Sequence, residues 1–228
     1  MLDLSPEELS AIGLSLRVAS VATVAALPFA VLVAYALARW RFPGHGALNA
    51  LVHLPLVMPP VVTGFVLLML FGRHAPLGAF LADHLGLVFA FRWTGAALAA
   101  AVMSFPLMVR PIRLAFESID PRLGAAARSL GANGAWSFAL VTLPLAAPGV
   151  IVGAILGFAK ALGEFGATIT FVSSIPGETR TIPAAIYGLL STPDGDDAAL
   201  RLAAISAVIA VAALVVSEAL QRRAGSRA

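Results

Sequence analysis

Lys160 and Glu164 are the residues whose types and spacing most invite chemistry. Lys160 lies inside the long apolar run 138–163, and Glu164 stands just beyond it. Four apart, they share one face of a helix. An ionisable group in an apolar span is costly and usually faces a partner charge or a water-filled cavity. Two readings fit. The residues form a neutralised internal pair, or they flank a gate, where Lys160 attracts a tetrahedral dianion and Glu164 keeps it from binding too tightly. Thr168, Thr170, Ser173 and Ser174 follow. Their hydroxyls can donate to an oxyanion without holding it as a full charge would, or make ordinary hydrogen bonds between helices. Helical spacing puts Thr170 and Ser174 on one face, with Thr168 off it. Pro55, Pro59 and Pro60 interrupt another apolar run. They free backbone carbonyls, which suits either a structural kink or a bent helix lining a watery path.

Signatures of covalent chemistry are missing. The chain has no G-x-x-x-x-G-K-[ST] phosphate loop and no H-E-x-x-H pair. His45, His53, His74 and His84 lack ligand spacing, so no metal site is expected, and the GEFG at 163–166 is no hydrolase elbow. With no cysteine, disulfides and thiolate chemistry are excluded. Any energy source must be another chain or an ion gradient.

The elements that position these residues follow from composition. Of 228 residues, 60% are apolar and 12% charged, and the mean hydropathy is +0.93. A soluble domain of this size needs a far more polar shell. That excludes a soluble enzyme, a nucleic-acid-binding domain and a disordered chain, and leaves an all-α integral membrane protein of about five transmembrane helices. Five apolar runs, 13–38, 49–71, 85–109, 138–163 and 199–219, are each long enough for a bilayer core of about 20 residues. The acidic leader and the length of the first run argue against a cleaved signal peptide. Nine arginines (39, 41, 110, 113, 122, 128, 222, 223 and 227) fall in one set of loops, against four (73, 92, 180 and 201) in the other. The positive-inside rule puts the first set in the cytoplasm, the N-terminus outside and the C-terminus inside. Trp40 and Trp93 fall at the expected interfaces, and loop 72–84 has room for a short interfacial helix. Arg180 either meets a soluble partner or pairs with Glu178. The expected divisions are a leader at 1–12, a transmembrane domain at 13–219 and a basic cytoplasmic tail at 220–228.

The longest inner segment, 110–137, leads into a further pattern, read over about 117–144. Asp120 can cap a helix that Pro121 starts, and Gly131 can end it. Ala125, Ala126 and Ala127 give that helix a small-residue surface, which a partner's groove could approach closely, with Trp136 and Phe138 as anchors. A solvated connector is the alternative.

The same segment resembles the coupling loop of ABC importer permeases, E-A-A-x-x-x-G followed nine residues later by I-x-L-P. Aligned on Gly131, Ala126 and Ala127 match the two alanines, Leu143 and Pro144 match Leu-Pro, Ala125 replaces the glutamate, and Val141 replaces the isoleucine. LPLVMPPVVTG at 54–64 and ALGEFGATITFVSSIPGETRTIP at 161–183 resemble the molybdate permeases of this family, and the likeness covers nearly the whole chain. The resemblance implies a type I ABC importer transmembrane domain of a bacterial cytoplasmic (inner) membrane. It also implies a homodimer of two permease copies, two ABC ATPase subunits that bind ATP and magnesium, and a periplasmic molybdate-binding protein. No cofactor is expected in this chain, and no nucleic acid among its partners. Membrane lipid surrounds the spans. The residues carried into the coupling loop are Ala125, Ala126, Ala127, Gly131, Trp136, Leu143 and Pro144. Those assigned to the pathway or gate are Pro59, Pro60, Lys160, Glu164, Thr168, Thr170 and Ser174. Tungstate, sulfate or another oxyanion stays open as substrate. A gradient-driven secondary transporter is the competing class, though it would need ionisable relays and inverted repeats that are not visible.

Overall fold

The computed structural model describes residues 4–225, with the side chains of 217 and 220–225 excepted. The side chains of Arg222 and Arg223, and the whole of Arg227, therefore lie outside what is described. Helix α1 (Pro6–Arg39) opens on a capping box. Ser5 Oγ accepts from the Glu8 N–H at 3.2 Å, and the Glu8 carboxylate accepts from the Ser5 N–H at 2.6 Å. Its 34 residues extend about 51 Å at 1.5 Å each, so its ends outreach a hydrocarbon core of about 30 Å.

The second apolar run is two helices, α2 (His45–Val57) and α3 (Pro60–Phe71), bent by 115°. Pro59 and Pro60 account for the break. Each pushes the residue before it towards extended backbone; Met58 and Pro59 have ψ of 141° and 133°. The prolines sever this run rather than kink it. A short helix, α4 (Pro76–Leu85), follows and ends at Gly86, whose φ is +66°.

The third span, α5 (Trp93–Ser118), corrects the expected 85–109. It starts late because Gly86 stops α4 and residues 86–92 stay non-helical, with Phe91 at φ +59°. It runs on through Arg110, Pro111 and Arg113, because charges mark the end of an apolar run without ending a helix. The inner segment holds α6 (Pro121–Ser129) and the turn α7 (Gly134–Ser137). A π-helical stretch, Phe138–Thr142, leads into α8 (Leu143–Leu162). Beyond it come α9 (Gly166–Val172), α10 (Ile182–Leu189) and α11 (Asp196–Gly225).

The bundle has two ends. At one, α1 starts beside α10 and α11: the Ser15 hydroxyl accepts from the Ile182 N–H at 2.7 Å, and Arg201 donates to buried Glu8 at 3.2 Å. Trp93, at the start of α5, lies under the Arg17 guanidinium, 3.7 Å from the ring centre. At the other end, Tyr35 of α1 packs edge-on against Phe116 and Phe138, and Arg39 donates to the Ile119 carbonyl at 2.6 Å. So α1, α5 and α11 run one way and α8 runs back. The broken pair supplies the other return. His45 donates to the Leu37 carbonyl at 3.0 Å, while Phe71 meets Phe89 close to the start of α5. Among the described residues there are four long apolar helices, and five passages along the bundle when the bent α2–α3 pair is counted as one, which puts the described ends at opposite ends of the bundle.

Small residues bring these helices together. Ala19, Ala22, Ala26, Ala30 and Ala34 of α1 and Ala96, Ala99 and Ala100 of α5 are buried. Gly149, Gly153 and Gly157 recur every fourth residue on α8 and face α5. A Cβ on Gly153 would stand 2.8 Å from both Ile112 Cγ1 and the Met108 carbonyl oxygen. Small residues at such spacing let membrane helices approach backbone to backbone.

Candidate functional site

At the end of the bundle where α1 stops, Asp120 caps α6, its carboxylate accepting from the Arg122 N–H at 2.9 Å, and Pro121 is the first helical residue. Gly131 adopts φ +93°, and the Ala132 N–H folds back to the Ala127 carbonyl at 3.1 Å. That left-handed residue closes the helix as glycine readily can. No residue of α6 is buried. Ala125 and Ala126 are exposed and Ala127 half-buried, while Leu130 is 89% and Trp136 59% exposed. The Trp136 N–H caps back to Asn133 Oδ1 at 2.9 Å. Phe138, expected as a second anchor, instead turns inward onto Tyr35 and Phe116. Leu143 also packs inward, and Pro144 is exposed. This segment therefore offers an exposed small-residue helix and one open indole, with Leu123, Leu130 and Leu140 also open.

At the far end of α8, the expected cluster comes together. Lys160 Nζ lies 2.6 Å from Glu164 Oε2. The Glu164 side chain is 1% exposed and that of Lys160 31%. Lys160 and Glu164 do not share the helix that their spacing suggests: α8 stops at Leu162, and Glu164 stands in the break before α9. There its second oxygen accepts from the Ala167 N–H at 3.0 Å, so one carboxylate both pairs with Lys160 and caps α9. Thr168 donates to the Phe165 carbonyl at 2.8 Å, and Thr170 to the Gly166 carbonyl at 2.9 Å. These hydroxyls are committed to their own helix. Ser173 ends α9 at φ +62° and ψ −167°, so Ser174 does not share a helical face with Thr170.

The two stretches read separately in the sequence meet here. A Cβ on Gly166 would stand 2.6 Å from Pro60 Cβ, and one on Gly64 2.9 Å from Thr170 Cβ. The break at Pro59 and Pro60 is thus seated on the break at Glu164. Gly64 and Gly166, like the glycine repeat on α8, were not singled out from the sequence. The four-residue spacing of Gly149, Gly153 and Gly157 was the available signal, whereas nothing local marks a crossing between segments a hundred residues apart.

Arg180 pairs with Glu7 at 3.5 Å rather than with Glu178, which faces Arg92 at 3.8 Å. His45, His53 and His84 each donate a ring N–H to a backbone carbonyl. Among the described residues, no cluster of three or more His, Asp or Glu could hold a metal ion.

Residues 26–226 match the family model of binding-protein-dependent transport system inner membrane components. The chain belongs to that family. This permease is 55% identical to the molybdenum transport system permease protein ModB of Escherichia coli, over 99% of this chain and 98% of that one. It is 49% identical to ModB of Haemophilus influenzae (95% and 94%) and 40% identical to ModB of Mycobacterium tuberculosis (93% and 78%). Its fold matches a bacterial ABC transporter involved in importing the acidic polysaccharide alginate, with a TM-score of 0.74 at 19% identity, over 97% of this chain and 81% of that one. An amino acid ABC transporter matches with a TM-score of 0.64 at 18% identity (96% and 94%). The permease is a multi-pass inner membrane transport subunit, all-α, with the fold of an ABC importer transmembrane domain.

Proposed function

We propose that this permease forms the membrane path of an ATP-driven importer for molybdate. The observation that carries the reading is the 55% identity to a molybdenum transport permease along essentially the whole chain. The exposed α6 supports it: a capped helix with no buried residue, beside an open Trp136, is a surface shaped for another protein.

In this reading residues 13–219 are the transmembrane domain, and α6 faces the cytoplasm. Two permease copies enclose the path, and each docks one ATPase subunit that binds ATP and magnesium. A periplasmic binding protein delivers the anion at the end where α1 begins. ATP-driven closure of the ATPases draws the two α6 helices together and opens the path outward, and hydrolysis returns it inward. Ala125, Ala126, Ala127, Gly131 and Trp136 form the docking surface, with Leu143 and Pro144 fixing the start of α8 beneath it. The junction of Pro59 and Pro60 with Lys160, Glu164, Thr168 and Thr170 is the gate, and Ser174 sits beyond its broken helix.

The test is reconstitution with the ATPase and the binding protein in vesicles. Stimulation of ATP hydrolysis by molybdate above sulfate is expected, with tungstate measured in parallel. Equal response to sulfate refutes the substrate. Transport driven by an ion gradient without ATP refutes the class.

A further inference from the structure

Behind α6 lies a cavity of about 290 Å³, between the end of α1, the start of α6 and the turn α7. Arg39, Trp40, Gly124, Arg128, Ser137 and Phe138 are among the residues around it. Arg39 spends one N–H on the Ile119 carbonyl at 2.6 Å and keeps its other donors. Arg128 folds back over its own helix, with Nη1 3.7 Å from where a Cβ on Gly124 would stand. Neither arginine has a carboxylate partner among the described residues. Asp120 is the single acid lining the cavity, and one of its oxygens already caps α6.

We propose that this cavity binds a phosphate-bearing anion, bridged between Arg39 and Arg128, which staples α6 to the end of α1. Guanidinium groups pair with phosphate through parallel N–H donors. The staple answers a mechanical need. Among the described residues, one side-chain hydrogen bond ties α6 to another element, from the Ser137 hydroxyl to the Gly124 carbonyl at 3.2 Å. The source is a phospholipid headgroup. Trp40 is 58% exposed where α1 ends, a residue type favoured at membrane–water boundaries, and basic pockets between helices on the cytoplasmic side suit anionic headgroups. The consequence for coupling rests on the proposed docking of the ATPase at α6; the binding itself does not.

The test uses the detergent-solubilised permease–ATPase complex. Its thermal unfolding is followed while phosphatidylglycerol, phosphatidylcholine or inorganic phosphate is added. Arg128→Gln is compared with Arg110→Gln, which removes another exposed arginine, outside the cavity. Phosphatidylglycerol is expected to protect the wild type and Arg110→Gln. For Arg128→Gln its apparent affinity falls about tenfold or more, the effect of losing one charge-assisted contact. Protection by inorganic phosphate with the same dependence on Arg128 supports the anion site and makes a soluble ion the source. Protection by phosphatidylcholine with that dependence shows that the phosphate suffices without net headgroup charge. Equal responses of the two variants to every additive overturn the proposal, because bulk charge then explains the protection. Retention of the ATPase is scored separately by co-purification. A wild-type complex that holds the ATPase yet shows no additive response sinks the anion site alone, whereas failure to hold any ATPase sinks the docking reading alone.

Discussion

Removing either half of the Lys160–Glu164 pair should not cost the same. The Glu164 side chain is 1% exposed and that of Lys160 31%. Lys160→Met leaves a carboxylate sealed in the break, supported by only the Ala167 N–H. Removing one partner of a buried pair costs about 3–5 kcal/mol, and the partial exposure of Lys160 sets the lower figure, about 3 kcal/mol. Glu164→Gln leaves an ammonium that can reach water along its stem, and the glutamine oxygen can still cap α9. That change costs about 1 kcal/mol, near the value of a partly exposed pair. For a chain of this size, ~2–4 °C per kcal/mol gives unfolding midpoints lower by roughly 6–12 °C for Lys160→Met and roughly 2–4 °C for Glu164→Gln. The double variant should return to the level of Glu164→Gln, a coupling of about 3 kcal/mol. Thermal unfolding of the purified permease–ATPase complex measures all three. A Glu164→Gln variant as damaged as Lys160→Met refutes the asymmetry. Transport by the stable double variant then addresses the gate, and a wild-type rate there removes the pair from the path.

Other expectations follow from single positions. Ala126→Lys, on the exposed face of α6, should change the unfolding midpoint little, since exposed substitutions stay within about 0.5 kcal/mol, yet release the ATPase in co-purification; an ATPase that stays bound counts against docking at α6. Gly153→Val drives its Cβ into the Met108 carbonyl and Ile112 and should cost about 3 kcal/mol by overpacking. Gly13→Ala meets nothing within 4 Å and should gain about 0.5 kcal/mol of helix stability, so equal midpoints for these two would discredit the close approach of α5 and α8. Ser173→Gly relieves a backbone conformation that is essentially glycine's own and should raise the midpoint by about 2–4 °C; a lower midpoint would mean that the serine's own contacts outweigh the strain.

What the sequence made legible were features encoded locally. Asp120, Pro121 and Gly131 are the start and stop of α6, and each does its work within four residues. The apolar runs marked the crossings because lipid leaves a backbone few alternatives to helix. Errors arose where a local rule met a distant partner. The α9 face was extended to Ser174 because helical spacing carries no sign of the left-handed Ser173 that ends it. Phe138 looked like a surface anchor beside Trp136, but Tyr35 and Phe116, remote in sequence, draw it inward. Arg180 was weighed against its neighbour Glu178, and Glu7, 173 positions away, took it. The third span was placed early because hydropathy cannot distinguish the irregular 86–92 from the first turns of α5.

One connection emerges only in three dimensions. From Gly134 to Leu162 the chain is helical without interruption, 29 residues, or about 43 Å at 1.5 Å each. Its inner end carries α7, bonded to α6 through Ser137 and Gly124. Its outer end stops at Glu164, whose carboxylate caps α9, and α9 holds the broken span through Gly64, Gly166 and Pro60. On the proposed reading, this rod is the shortest covalent route from the ATPase docking helix to the gate. A shift of α6 reaches the outer break along one stiff element, and the compliance needed there is concentrated at two non-helical points, Met58–Pro59 and Gly163–Phe165. The π-helical turn at Phe138–Thr142 lies where the rod leaves the docking segment, and such turns occur often at functional sites. The small-residue face of α8 against α5 keeps the middle of the rod close-packed. Movement at one end therefore has few places to dissipate before it meets the pair of broken helices at the other.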